Sequence, residues 1–390
     1  MTMMNTDDTS TLNSPDYQEI EFLNLATSTQ PYAGRLKEAS ARVIDSGRFL
    51  AGEETRRLEE SLSRLTGASS VICVSNGLDA IRLIFRAYME MGRLAPGDEV
   101  IVPANTFIAS VLPLSELGLT PVLAPAGEDF NLDLNRIDSF ITTRTRAVLL
   151  VHLYGTPCWD TAICRRLAEK GNLLIEDNAQ AIGAEASSPG LAGSRMTGAL
   201  GHASAISFYP TKNLGALGDA GAVMTSDPQL ARTVRALANY GADRRYHNIF
   251  CGYNNRIDEI QAAFLNVKLE NLEAENNARR AAAAAYDEVI CNPLVATPTI
   301  YTDRRQVWHQ YVVRSPRRDR LQQFLISRGV HTDIHYAVPP HLQPCYEGQF
   351  SDPSLKATAE LADTLLSLPI ANISPDQAIY ISSIINDFKD

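Results

Sequence analysis

Residues 146–177 read RAVLLVHLYGTPCWDTAICRRLAEKGNLLIED. Two apolar runs, RAVLLVHLYG (146–155) and NLLIED (172–177), lack polar alternation and read as strands buried on both faces. Trp159–Lys170 between them carries helical periodicity. Strand, helix and strand of these lengths make a crossover unit, and strands so joined lie parallel.

The same rhythm extends upstream. VICVS (71–75), a helix near Asp79–Met91, DEVIVP (98–103), a helix near Ile108–Leu117 and TPVLAP (120–125) precede it. Downstream, ASAISFY (203–209) and AGAVMTS (220–226) flank a Gly-rich turn, a spacing that also suits an antiparallel hairpin within the sheet. Helices are expected at Tyr32–Ser46 and Glu53–Leu65, ended by Gly47 and Gly67, and at Pro228–Tyr240. A long helical stretch from Asp258 to about Val289 suits a link between domains. Beyond it come a strand (307–313), a helix (Asp319–Arg328), a strand (330–336) and helices at Leu355–Leu366 and Pro375–Phe388. The expected architecture is α/β, with three parts. Residues 1–18 form a disordered tail, 19–270 a large domain with a mostly parallel sheet, and 271–390 a small C-terminal α+β domain.

Composition narrows the function. Of 390 residues 45% are apolar and 21% charged, with a net charge of −10, the mix of a globular chain. A negative balance argues against a nucleic-acid groove. No apolar run nears the roughly 20 residues of a membrane helix. The polar, acidic N-terminus is not expected to be a signal peptide. Six cysteines without a C-x-x-C pair suit free thiols in a reducing cytoplasm. No metal site is read.

Three segments carry candidate chemistry. SFYPTKNLGALGDAG (207–221) runs from a strand into a Gly-rich loop bearing Lys212, one of only six lysines against 29 arginines. That lysine is either a solvated surface residue or a nucleophile. In NLLIEDNAQAIGA (172–184), Glu176 and Asp177 end a buried strand, where open α/β sheets bind ligands. Asp177 suits a turn cap and a ligand contact equally. In VSNGLDAIRLIF (74–85), a strand meets a helix start at Asn76-Gly77, either an ordinary cap or an anion site. G-x-G-x-x-G is absent there, which weakens a dinucleotide reading. Together the three meet the needs of pyridoxal phosphate: a lysine for its aldehyde, a carboxylate for its ring nitrogen, and amides for its phosphate.

With GEETRRLEE, SNGLDAI, GDEVIVPANTFIAS, VHLYG, IEDNAQAIGA, SFYPTKNLGALGDAG, GYNNRIDEIQAA and HYAVPPHLQPCY, the chain from about Glu21 onward resembles the DegT/DnrJ-type pyridoxal-phosphate-dependent sugar aminotransferases. The resemblance implies the type I, aspartate aminotransferase-like fold. It implies that Lys212 forms the Schiff base and shuttles the proton, and that Asp177 pairs with the pyridinium nitrogen. It further implies Gln180 at the ring hydroxyl and Phe107 on the ring face. The amides of Gly77 and Leu78 and the hydroxyl of Ser207 would hold the phosphate. Asn254 would reach the phosphate from the neighbouring subunit, making a homodimer with shared active sites. His335 and His341 would be substrate-loop histidines.

The implied reaction moves an amino group from L-glutamate to a nucleotide-linked keto-6-deoxyhexose, at carbon 3 of a TDP-3-keto sugar. Amination at carbon 4 and a non-catalytic, cofactor-bound sensor are the alternatives. His152 reads as a satisfied strand-end histidine, and Arg256 and Asp258 as a local pair. Leu78 stands where the family often has Thr, Ala220 replaces the middle glycine of GDGG, and Ile182 stands where many members have His. Lys212 argues against the dehydratase branch, which carries histidine there.

Overall fold

Seven strands form the central sheet in the computed structural model, which describes residues 19–191 and 193–390. The expected tail, 1–18, lies outside the described residues. After short helical turns at Leu25–Thr29 and Gln30–Tyr32, helices α1 (Ala33–Ser46) and α2 (Glu53–Thr66) follow and end on Gly47 and Gly67, both left-handed as expected. Then follow β1 (Ser70–Val74), α3 (Gly77–Glu90), β2 (Glu99–Pro103), β3 (Thr120–Ala124) and β4 (Thr145–Val151). Next are α4 (Thr161–Glu169), β5 (Leu173–Asp177), β6 (Ala203–Ser207) and β7 (Gly221–Thr225). The spatial order is β1-β7-β6-β5-β4-β2-β3. The β2–β3, β2–β4, β4–β5 and β5–β6 pairs are parallel. β7 is antiparallel to both β6 and β1, so the hairpin reading holds across a 208–220 connection.

Alternation within the buried strands feeds a core on each face. Val100, Val102, Leu149, Val151 and Ile175 join the core beneath α3, which contributes Ala80, Leu83, Ile84 and Ala87 at helical spacing. Ile101, Val148, Leu150 and Leu174 turn to the opposite core with Leu167 of α4. The parallel strands therefore place their carboxyl ends along one edge, where a crevice forms.

Apart from short two- and three-residue strands and 3-10 turns, the remainder is α5 (Pro228–Ala238), α6 (Glu259–Leu269), α7 (Leu272–Val289), β8 (Tyr311–Arg314), α8 (Arg318–Ile326), α9 (Leu355–Ala362), β9 (Leu365–Leu368) and α10 (Pro375–Asp387). β8 and β9 pair antiparallel, and Tyr286, Tyr311, Val313, Leu366, Ile381 and Ile385 build a further core around them. Ile20 joins that core, its backbone bonded to Gly329 and His331.

Several expected elements are corrected. The helix near Ile108–Leu117 is two short turns, Ile108–Ser110 and Leu112–Glu116, because Pro113 cannot donate to a preceding turn. The 258–289 helix is two helices, broken at Glu270-Asn271. The run 146–155 leaves the strand at Val151, and Tyr154 takes a left-handed φ of 58°. The run 307–313 is a strand only from Tyr311, since Trp308 has a φ of 46°. Residues 330–336 are not a strand but make single bridges, Val330 to Ile20 and Asp333 to Ser367. The helix expected to reach Leu366 stops at Ala362, and Leu365–Leu368 pairs with β8 instead.

Candidate active site

A cavity of about 640 Å³ opens at the carboxyl edge of the sheet, within the size range of small-molecule sites. Its first wall is the β1–α3 junction. The Asn76 side chain caps α3 by accepting from Asp79 N at 2.8 Å. The amides of Gly77 and Leu78 keep no protein acceptor among the described residues and belong to the positive end of the helix. Ser207, ending β6, faces them so closely that a Cβ on Gly77 would stand 2.6 Å from the Ser207 Cβ. The Ser207 hydroxyl accepts from Tyr209 N at 3.3 Å, which leaves its proton free to donate.

Asp177 forms the floor. Its Oδ2 accepts from Ser110 Oγ at 2.7 Å, and Ser110 is 2.8 Å from Thr106 Oγ1. Its Oδ1 accepts from Ala179 N at 3.1 Å. The residue is therefore a turn cap and a cavity carboxylate at once. Glu176 points the other way, as alternation requires. Its carboxylate is fully buried, receives the Nε2 proton of His152 at 2.9 Å, and accepts from Gly198, Leu200 and Gly201 amides at 2.7–2.9 Å. His152 Nδ1 accepts from Cys158 N, so this imidazole is satisfied on both sides, as read from sequence.

Lys212 enters from the Gly-rich loop. That loop folds tightly because Gly215 packs on the Pro210 carbonyl, 2.3 Å from where a Cβ would sit. Gly221 packs equally closely on the Asn76 carbonyl, so glycine is required there, while Ala220 fits its buried place. Burial pushes the Lys212 ammonium down to about 8, partly offset by the Asp177 charge.

The third wall comes from later in the chain. Gln180 Oε1 accepts from Tyr154 N at 2.6 Å, and its Nε2 donates to the Tyr336 hydroxyl at 3.0 Å. The Tyr336 ring lies 5.1 Å from that of Phe107, which is half exposed over the cavity. His335 lines the same space, its Nδ1 2.8 Å from Ser367 Oγ and its carbonyl accepting from the Tyr154 hydroxyl. Burial lowers the His335 pKa, against the pull of Asp333. His309 completes the wall beside Lys212.

Lys212, Asp177, Gly77, Leu78, Phe107, Gln180, Ser207 and His335 thus meet at one cavity. Asn254 and His341 do not line it. Asn254 is exposed, and its Oδ1 accepts from Arg256 Nε at 3.1 Å. Arg256 also reaches Asn239 and lies over the Tyr240 ring, which replaces the expected pairing with Asp258. His341 sits in the Pro339-Pro340 turn with its Nδ1 sealed from solvent. Ile182, at the departure from the family pattern, is core. Thr106, Ser110, Tyr154, His309 and Tyr336 were not singled out from sequence. Thr106 and Ser110 lie four apart in the quoted NTFIAS motif, the one local signal that pointed to them. Tyr154 and Tyr336 lie within the quoted VHLYG and HYAVPPHLQPCY stretches, and His309 is joined to the site only by folding.

Comparison with known proteins supplies an independent view. The family model described as DegT/DnrJ/EryC1/StrS aminotransferase matches residues 33–386. The dTDP-3-amino-3,6-dideoxy-alpha-D-galactopyranose transaminase of Aneurinibacillus thermoaerophilus is 42% identical over 356 residues, covering 91% of this chain and 95% of the relative. The dTDP-3-amino-3,4,6-trideoxy-alpha-D-glucose transaminase of Streptomyces venezuelae is 40% identical, covering 95% and 96%. Among solved structures, DesV of S. venezuelae superposes with a TM-score of 0.89 at 39% identity, over 95% of this chain and all of that one.

Proposed function

Since the chain belongs to the DegT/DnrJ/EryC1/StrS aminotransferase family, we propose that it transfers an amino group from L-glutamate to carbon 3 of a TDP-linked 3-keto-6-deoxyhexose. The observation that carries this reading is the convergence of Lys212, Asp177 and the α3 amides on one cavity. Its cofactor is pyridoxal 5'-phosphate. The donor set fits that group, because two free helix amides and the Ser207 hydroxyl offer an anion cradle that a Cβ on Gly77 would fill. When bound, the cofactor supplies an electron sink for ionising a C–H bond beside nitrogen.

The chain's own residues do the rest. The Lys212 amine, made less basic by its burial, takes and returns the proton at the substrate carbon. Asp177, held by Ser110 and the Ala179 amide, would face a ring N–H. Phe107 would cover a ring face, and Gln180, its orientation fixed by Tyr154 and Tyr336, would meet the ring hydroxyl. His335 borders the space left for the sugar. The transferred group goes to a TDP-3-keto sugar because the named relatives are dTDP-3-amino-sugar transaminases.

The working unit in this reading is a homodimer. Asn254 lies exposed, away from its own chain's cavity, as a residue serving a partner's phosphate site would. Exposed Phe49, Leu50, Tyr209 and Leu217 offer apolar surface for such pairing. His341, also outside the cavity, is assigned to the substrate loop. We take residues 19–270 as the large unit and 271–390 as the small one. The six unpaired cysteines suit the cytoplasm, and among the described residues no helix is long and apolar enough to cross a membrane.

Absorbance of purified protein tests the reading. With pyridoxal phosphate, a band at about 410 nm should move to about 330 nm on adding L-glutamate. A TDP-3-keto-6-deoxyhexose should then reverse the change. A band unmoved by glutamate would point to another donor or to the sensor reading. A second expectation concerns the cradle. Gly77→Ala inserts a Cβ 2.6 Å from the Ser207 Cβ. An overpacking cost of about 1–3 kcal/mol should weaken pyridoxal phosphate binding about tenfold or more in a spectroscopic titration.

A further inference from the structure

His309 is a buried imidazole beside Lys212 to which the reaction as described assigns nothing. Its protonation is fixed by a chain of hydrogen bonds. Asn213 Nδ2 donates to the Val307 carbonyl at 2.9 Å and to Asn276 Oδ1 at 2.8 Å. Asn276 Nδ2 in turn donates to the Ile182 carbonyl at 3.1 Å. A carbonyl only accepts, so both amides have one possible orientation, and Asn213 Oδ1 is left facing His309 Nδ1 at 3.2 Å. Nδ1 must therefore carry the proton. Nε2 then holds a lone pair, has no partner among the described residues, and is not sealed off.

The complementary vacancy lies in the same cavity. The Lys212 ammonium has no hydrogen bond or ion pair among the described residues. The Asp177 carboxylate, which accepts from Ser110 and Ala179, makes no hydrogen bond to it. Lys212 and Asn213 are consecutive, so the residue that orients the imidazole is also the lysine's chain neighbour. We infer that His309 is a positioning residue whose Nε2 accepts a hydrogen from Lys212 Nζ whenever that amine is free. The consequence for catalysis rests on the aminotransferase reading above, but the hydrogen bond itself does not.

The surroundings keep this acceptor neutral. Burial drives the His309 pKa well below its ordinary value, and the Lys212, Arg279 and His335 charges act in the same direction. Arg279 of α7 lies on the backbone side, donating to the carbonyls of Trp308 and His309 at 3.2 and 3.4 Å. Lys212 itself is faced by Asp177 from β5, Asp219 from its own loop, His335, and His309.

Cofactor-free protein gives the test. Competitive acetylation of Lys212 across pH, read by mass spectrometry of its peptide, reports the midpoint at which the amine becomes free. The wild-type midpoint should lie near about 8. His309→Phe removes the acceptor for an ammonium and should lower the midpoint by about one unit. His309→Gln retains an acceptor and should leave it in place. A cavity merely loosened by the Phe substitution would admit water and raise the midpoint instead, so the sign separates a positioning role from a structural one. An unchanged or raised midpoint in His309→Phe, or equal shifts in both variants, overturns the proposal. So does ¹⁵N NMR showing Nε2 of His309 protonated at neutral pH. Failure of the aminotransferase reading would show separately, as absence of a visible band with pyridoxal phosphate in the wild type.

Discussion

A Lys212→Ala protein should melt within a few degrees of the wild type and lose transamination by about a thousandfold or more, since both a covalent and a proton-transfer role disappear. Its fold should survive because the loop is shaped by the backbone. Gly215 rests on the Pro210 carbonyl, Gly221 on Asn76, and Lys212 N donates to the Tyr209 carbonyl at 2.8 Å. The side chain has no ion pair among the described residues to lose. Circular dichroism and a coupled glutamate assay would check both halves. Turnover at the wild-type rate would remove Lys212 from the mechanism and the proposed function with it.

The larger effect on stability is expected one residue before the cavity carboxylate. Glu176→Ala should cost about 3–5 kcal/mol, because removing a buried carboxylate strands the groups it paired. His152 Nε2 and three backbone amides would lose their acceptor together. For a chain of this size the melting temperature should fall by roughly 5–10 °C. The pH dependence has a definite sign. Burial works to raise the Glu176 pKa, but His152 and the Gly201 and Gly198 amides outweigh it, so the folded value is depressed. Its contribution is complete above the ordinary carboxylate range and fades as pH falls through that depressed value. Glu176→Gln should flatten this acid limb in denaturation measured from pH 3 to 7. An unchanged melting temperature in Glu176→Ala would contradict the account.

The parts of the fold legible in sequence are those governed by local chemistry. Unbroken apolar runs marked β2, β4 and β5, and Gly47 and Gly67 marked helix ends. The errors arose where distant partners decide. LLSL (365–368) is as apolar as a helix face, and only pairing with β8 makes it a strand. Residues 330–336 are rich in strand formers yet find partners at single positions only. The site divides in the same way. Lys212 stands out in its Gly-rich loop and Asp177 at its strand end. Tyr336, 156 residues from Gln180, and His309, 96 from Asn213, become neighbours only by long-range folding.

The reversed strand β7 lies between β1 and β6, and Gly221 is in register with Val74 on one side and Ser207 on the other. One backbone position thus ties the strand that ends at the α3 start to the strand that leads into the lysine loop. The α3 start itself crosses back over β7 and packs directly on Ser207, where a Cβ on Gly77 would stand 2.6 Å from the Ser207 Cβ. The sheet acts as a jig that holds this seam of backbone at one width. Evolution or engineering can redecorate the walls for another sugar. The seam where Gly77 meets Ser207 is set by backbone and stays as it is.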